Sequence, residues 1–386
     1  MKIEPFQLER WMTKYEMNVT WDIAESGIFP MTMREIVELL PLPQQQQALD
    51  RLLDLRLGYS EARGSLELRT LLADTYAALT PEEVLVTTGA IEANFVLLNE
   101  LLSPGDRVIV VEPQYQQLRS VPAAIGCDVV PWRVRDANGF RYDLAELREL
   151  ACRGAKMIVL NTPHNPTGAM LSASELAEVY RLAEELDAYV LSDEAYRWLA
   201  VPGGEALPPP MRDLGPRAIS IGTFSKPFGL PGLRIGWIAA TEEIVQRCWG
   251  MRDYISLSPG KLNDALAVLA FAHRDQIIER TRAIVAENLA FADQWFASNA
   301  DLVSWHPPRG GLLAMLRYNL ELPSNQLANH LAEQYSVMLA PGAAFGFEGY
   351  LRIGVGNSPD LFREGLWQTT RCLRELLEDG VSLRTP

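Results

Sequence analysis

The chain has 386 residues, 48% hydrophobic and 22% charged, with a net charge of −14. That length exceeds what one hydrophobic core serves, so roughly two or three lobes are expected, and the negative charge argues against nucleic-acid or anionic-membrane partners, which select a basic face. No apolar run approaches the ~20 residues of a membrane span, the start MKIEPFQLERW lacks a signal-peptide pattern, and Cys127, Cys152, Cys248 and Cys372 have no C-x-x-C spacing, so a cytoplasmic protein without a metal site or disulfide framework is expected.

Residues 6–40, with Trp11, Tyr15, Trp21 and a Glu25-Ser26-Gly27 turn, read as an N-terminal helix and a loop packed on the main body. Pro41-Leu-Pro43 and the glutamine run after it read as a break before the large lobe. Residues 57–64, containing Tyr59, form a turn into an amphipathic helix marked by Leu66, Leu68 and Leu71. A β-branched strand at 84–88 runs through Gly89 into a helix, whose free N–H groups from Gly89 through Ala90 to Ile91 make a natural phosphate cradle. A second buried strand at 107–113 ends beside Tyr115.

A third apolar strand leads into N-T-P-H-N-P-T-G at 161–168. Two X-Pro pairs stiffen that loop at a strand's carboxyl end, where α/β sheets bind ligands. A helix over 172–187, with Ser174 and Glu175 at its start, precedes a strand whose carboxyl end carries Asp193 and Glu194. Residues 201–210 read as a surface excursion, and 261–296 as one long helix between lobes. The last hundred residues alternate strand and helix, and Arg352 sits among apolar strand residues. A buried arginine requires an anion.

The densest chemistry lies at 219–237, ISIGTFSKPFGLPGLRIGW. An amine among apolar neighbours, as at Lys226, suits attack on a carbonyl to form a Schiff base. Arg234 has the fork geometry to clamp a phosphate, and Thr223 and Ser225 add hydroxyls.

This string and the N-P-T-G loop resemble the cofactor segments of the class I/II aminotransferases, fold type I, the aspartate aminotransferase superfamily. The resemblance spans nearly the whole chain. It implies an α/β fold with a large, mostly parallel, seven-stranded-type sheet domain plus a small α+β domain: 1–45 as an N-terminal segment packing with the small domain, 46–285 as the large cofactor domain, and 286–386 as the small domain. It implies pyridoxal 5'-phosphate (PLP) as cofactor and a homodimer with shared active sites. Lys226 becomes the Schiff-base lysine and general base, and Asp193 the partner of the pyridine nitrogen. Tyr115 stacks on the ring, and Asn165 and Tyr196 bond its phenolic oxygen. Gly89, Ala90, Ile91, Thr223, Ser225 and Arg234 take the phosphate, with Tyr59 of the partner subunit. Arg352, Asn165 and the backbone near Gly27 take the substrate carboxylate. His164 stands behind the site.

These residues imply transamination of an L-α-amino acid through a substrate carbanion, with a keto acid as second substrate. They do not choose among the carbanion's fates. F-x-L-E-R-W at 6–11 and M-R-D-Y-x-x-L-S-P at 251–259 also resemble the capreomycidine synthase-like enzymes that act on guanidino amino acids. The alternative is therefore elimination or replacement on an arginine-like substrate, a lyase or cyclase, with Glu25, Glu92 or Asp253 as candidate guanidinium partners. A non-catalytic sensor of the kind fused to transcription regulators is disfavoured, because the N-terminal segment is too short for a winged helix.

Overall fold

The computed structural model describes residues 2–383; residue 1 and residues 384–386, the extreme ends of the expected first and last segments, lie outside them. The central sheet has seven strands in the order Val84–Thr87, Gly236–Ala239, Ala218–Thr223, Tyr189–Asp193, Met157–Asn161, Arg107–Glu112, Asp128–Arg133. Gly236–Ala239 runs antiparallel to both neighbours and the other pairings are parallel. Every residue of Met157–Asn161 is buried, as expected for an inner strand with helices on both faces. Separate apolar clusters cover the two faces, one around Leu97, Val110 and Ile221 and the other around Ile109, Leu160 and Val179.

A smaller antiparallel sheet orders Ala340–Pro341, Tyr350–Gly354, Leu313–Tyr318 and Val303–Trp305. The N-terminal segment joins it: Trp21 and Asp22 pair in parallel with Val337 and Met338, and helix Gln7–Tyr15 buries Leu8, Met12 and Tyr15 with Ala332 and Met338. Glu25-Ser26-Gly27 is thereby carried to the residues just past the carboxyl end of strand Ala218–Thr223, where Ser26 meets Lys226. Among the described residues no helix is long and apolar enough to cross a membrane.

Three local expectations change. Pro41-Leu-Pro43 opens helix Leu42–Leu53 instead of breaking the chain, because a proline in the first turn forfeits an N–H that has no intrahelical partner anyway. The long helix over 261–296 is two, Lys261–Ala272 and Arg274–Ser298, broken where His273 leaves helical geometry at φ −113°, ψ 23°. The unforeseen final helix, Pro359–Glu378, buries Phe362, Leu366, Thr369 and Leu373 against the small sheet's core, a spacing of three and four legible in the sequence.

Candidate active site

The parallel strands deliver their chemistry at their carboxyl ends. Tyr189–Asp193 ends at Asp193, Met157–Asn161 feeds the loop to Asn165, and Ala218–Thr223 leads to Lys226. Asn161 and Asp193 are direct register partners. The Asn161 amide donates to the Asp193 carbonyl at 2.7 Å and accepts the Asn165 N–H at 2.6 Å. One side chain thus fixes two of the expected site residues.

A cavity of about 350 Å³ lies above these strand ends, lined by Ala90, Ile91, Tyr115, Asn165, Asp193, Tyr196, Thr223, Ser225, Lys226, Arg234 and Arg352. Gly89 is the N-cap of helix Ala90–Leu101, with φ +80° and no side chain capping the first turn. A Cβ on Gly89 would stand 2.7 Å from Arg234 Nη2, so a side chain there would push the guanidinium away from that helix start. Thr223 Oγ1 bonds Ser225 Oγ at 3.1 Å and accepts the Ser225 N–H at 3.1 Å. Uncapped N–H groups, two hydroxyls and an exposed arginine make a cradle for a phosphate dianion.

Asp193 is 5% exposed, and its carboxylate accepts from Asn94 Nδ2 at 2.8 Å and from the Ala195 N–H at 3.1 Å. Burial raises its pKa, against these two donors and the charge of Lys226; a cationic ring N–H at this place would balance the charge that burial penalises. Arg352 is 1% exposed. Its Nη1 donates to Asn165 Oδ1 at 3.2 Å, its Nη2 donates to the Ala24 carbonyl at 2.8 Å, and its buried Nε has no partner. Burial pulls its pKa down while Tyr196, Glu25 and Asp22 oppose the shift, the setting of a cation that awaits a carboxylate. The cradle, the carboxylate and the ring-sized space between them fit pyridoxal phosphate.

Lys226 Nζ donates to Ser26 Oγ at 2.7 Å and lies 3.6 Å from Glu25 Oε1. Burial raises the Glu25 pKa, but the charges of Lys226 and Arg352 outweigh it and hold the group below its usual value. The Tyr115 hydroxyl donates to Glu9 Oε1 at 3.2 Å. Glu9, Glu16 and Glu25 all line the cavity.

Some expected residues stand elsewhere. Gly27 is buried and absent from the cavity lining, which its neighbours Glu25 and Ser26 join, and a Cβ there would sit 3.5 Å from the Ser225 carbonyl. Tyr59 is 86% exposed and borders a separate groove with Lys261 and Asp264. His164 is buried with Nδ1 2.7 Å from Thr167 Oγ1, and burial lowers its pKa to about 3, so it is neutral. Glu92 is no free guanidinium partner: it accepts the Thr88 N–H at 2.5 Å and faces Arg252 at 4.0 Å. Asp253 is exposed at a helix C-cap, outside the cavity lining. Asn94, Asn161 and Ser26 are the site residues that sequence reasoning missed. Asn94 carried a signal, since it is a lone polar residue in the apolar helical run from Ala93 to Leu98, one turn past Gly89.

Comparison with known proteins agrees with this geometry. The family model described as aminotransferase class I and II matches residues 39–366. Capreomycidine synthase of Streptomyces vinaceus is 32% identical over 347 residues, 90% of this chain and 88% of that protein. Arginine–pyruvate transaminase of Pseudomonas aeruginosa is 29% identical over 383 residues, covering 92% and 95%. The crystal structure of a PLP-dependent aminotransferase from Streptococcus suis superposes with a TM-score of 0.92 at 34% identity, covering 97% of this chain and 99% of that one. The chain belongs to the class I and II aminotransferases, enzymes that work with pyridoxal phosphate.

Proposed function

We propose that the protein moves the amino group of an L-α-amino acid to a keto acid, with Lys226 as the covalent anchor of pyridoxal phosphate. The observation that carries this reading is the convergence of Lys226, Asp193, Asn165, Tyr196, Arg234 and Arg352 on one cavity at the strand ends. The bound cofactor supplies an aldehyde for the substrate amine and a ring that takes up the electron pair left at Cα. Arg352 holds the substrate carboxylate with both N–H groups of its fork. Lys226 Nζ would anchor the cofactor and, once free of it, would accept the substrate's Cα proton. Asp193 holds a proton on the ring nitrogen, and Asn165 and Tyr196 hold the phenolic oxygen. Gly89, Ala90, Ile91, Thr223, Ser225 and Arg234 hold the phosphate. Tyr115 packs on the ring face, and the backbone near Gly27 closes on the carboxylate.

The reading includes a homodimer in which Tyr59 of the partner subunit completes the phosphate site. Its support is the exposed apolar set Leu42, Leu53, Leu57, Tyr59, Tyr254 and Leu257, more than a solvated surface needs. It also includes residues 1–45 with 286–386 as the lobe that closes on 46–285, and a cytoplasmic location.

Charge favours a cationic substrate side chain. Arg234 and Arg352 are engaged in this scheme by phosphate and carboxylate, while three carboxylates, Glu9, Glu16 and Glu25, line the cavity and Lys226 stands 3.6 Å from Glu25, so acidic groups outnumber the cations left to meet them. A relative named for arginine and another named capreomycidine synthase support the same direction. They also support a second reading, in which a guanidino amino acid such as canavanine or hydroxyarginine undergoes elimination or replacement, as in a lyase or cyclase.

Holoenzyme mixed with single L-amino acids, arginine and canavanine included and no keto acid, separates the two. Transamination stops at about one keto acid per site, and pyruvate or another acceptor restores turnover. Many turnovers without an acceptor would replace it with the second reading.

A further inference from the structure

Asn94 is 1% exposed and stands on the second turn of helix Ala90–Leu101, whose other buried residues are Glu92 and the apolar Ala93, Val96, Leu97, Leu98 and Leu101. An amide there costs helix propensity and desolvation that a leucine would avoid. Its Nδ2 donates to Asp193 Oδ2 at 2.8 Å, while its buried Oδ1 has no partner. Turning the amide over would set that oxygen against the carboxylate, so the contact with Asp193 fixes its orientation. The other carboxylate oxygen, Oδ1, takes the Ala195 N–H at 3.1 Å. Helix and strand end thus each contribute one donor to Asp193.

We propose that Asn94 is the positioning residue of this site for Asp193: its amide holds the carboxylate in one orientation and keeps it charged opposite the cofactor ring nitrogen. The proposal rests on the reading that Asp193 faces that nitrogen. A neutral donor to the anionic oxygen favours the ionised form. Without it, burial works against the charge, and a proton shared between Asp193 and the ring moves to the carboxylate. Lys226 across the cavity also favours the charged carboxylate. The phenols of Tyr115 and Tyr196 face the same charge, which adds to the rise that burial gives each of them. None of these three donates to Asp193 among the described hydrogen bonds, so none replaces Asn94.

The test is Asn94→Leu, which keeps the branched shape and heavy-atom count and removes the donor, compared with wild type as holoenzymes loaded with ring-¹⁵N pyridoxal phosphate. In wild type the ¹⁵N resonance should stay at the protonated position across about pH 6 to 9. In Asn94→Leu it should move toward the unprotonated position as pH rises, and kcat/KM should fall about tenfold, the equivalent of one pKa unit. Asn94→Asp, which can hold a proton against Asp193 and donate it, should recover part of the wild-type signal near neutral pH. A resonance in Asn94→Leu that matches wild type at every pH overturns the proposal, even if activity drops. An unprotonated nitrogen in wild type overturns the reading of Asp193 itself. Retained cofactor absorbance and an unchanged urea midpoint verify that the variants are folded.

Discussion

Arg352 Nη1 and Asn165 Oδ1 lie 3.2 Å apart inside the cavity, so the arginine proposed for the substrate carboxylate is aimed by the asparagine proposed for the cofactor's phenolic oxygen. The second tether of Arg352, the Ala24 carbonyl at 2.8 Å, comes from the N-terminal segment. Large lobe, small lobe and N-terminal segment therefore meet in one guanidinium.

Arg352→Lys keeps the charge and loses the fork. Charge-assisted hydrogen bonds contribute about 1.5–3 kcal/mol, so kcat/KM should fall by about 10–100-fold, mainly through KM. Steady-state kinetics with the best amino acid checks this. A loss below about threefold would place the carboxylate elsewhere.

A Lys226→Ala protein mixed with a Tyr59→Ala protein tests the shared site. Each parent should be impaired, and Lys226→Ala should lose at least about 10³-fold. If Tyr59 of the partner subunit serves the phosphate, random re-pairing yields hybrid dimers with one intact site, and roughly a quarter of wild-type sites return. Activity that never exceeds the sum of the parents excludes a site shared in this way.

Glu194, next to Asp193, is 4% exposed and accepts from Ser220 Oγ at 2.6 Å and the Met211 N–H at 2.7 Å. Burial raises its pKa from 4.5 to about 7, against Arg197 and these donors. Between those values the folded protein binds more protons than the unfolded chain, so stability falls as pH rises through the window. Asp22, raised to about 6 chiefly by burial and then by Glu25, acts with the same sign. Glu194→Gln should flatten the decline by up to about 3 kcal/mol, read as urea midpoints at a series of pH values. An unaltered slope would mean that Glu194 is ionised throughout the window.

Much of the architecture was legible in the sequence. Continuous apolar runs such as 157–161 state that a strand is inner, and Gly89, the N-P-T-G loop and the lysine string mark the carboxyl ends of three strands that border one cavity. What was hidden depends on contacts distant in sequence. Asn94 bonds Asp193, 99 positions away, and Lys226 reaches Ser26 across 200. Neither pairing has a local pattern. The break at His273 escaped because apolar periodicity continues across it, and the helix at Leu42 because a proline pair reads as an interruption unless its place in the first turn is known. Glu92 looked available because its acidity is written in the sequence and its engagement with Thr88 and Arg252 is not.

The most direct measurement uses the scarcity of lysine: the chain has only Lys2, Lys14, Lys156, Lys226 and Lys261, and of these Lys226 alone lines the cavity. Holoenzyme reduced with borohydride, digested and mapped by mass spectrometry should carry the pyridoxyl mass on Lys226, at about one per chain. Pyridoxyl label at another lysine, or spread over several with Lys226 unmodified, would contradict the assignment of this cavity as the active site.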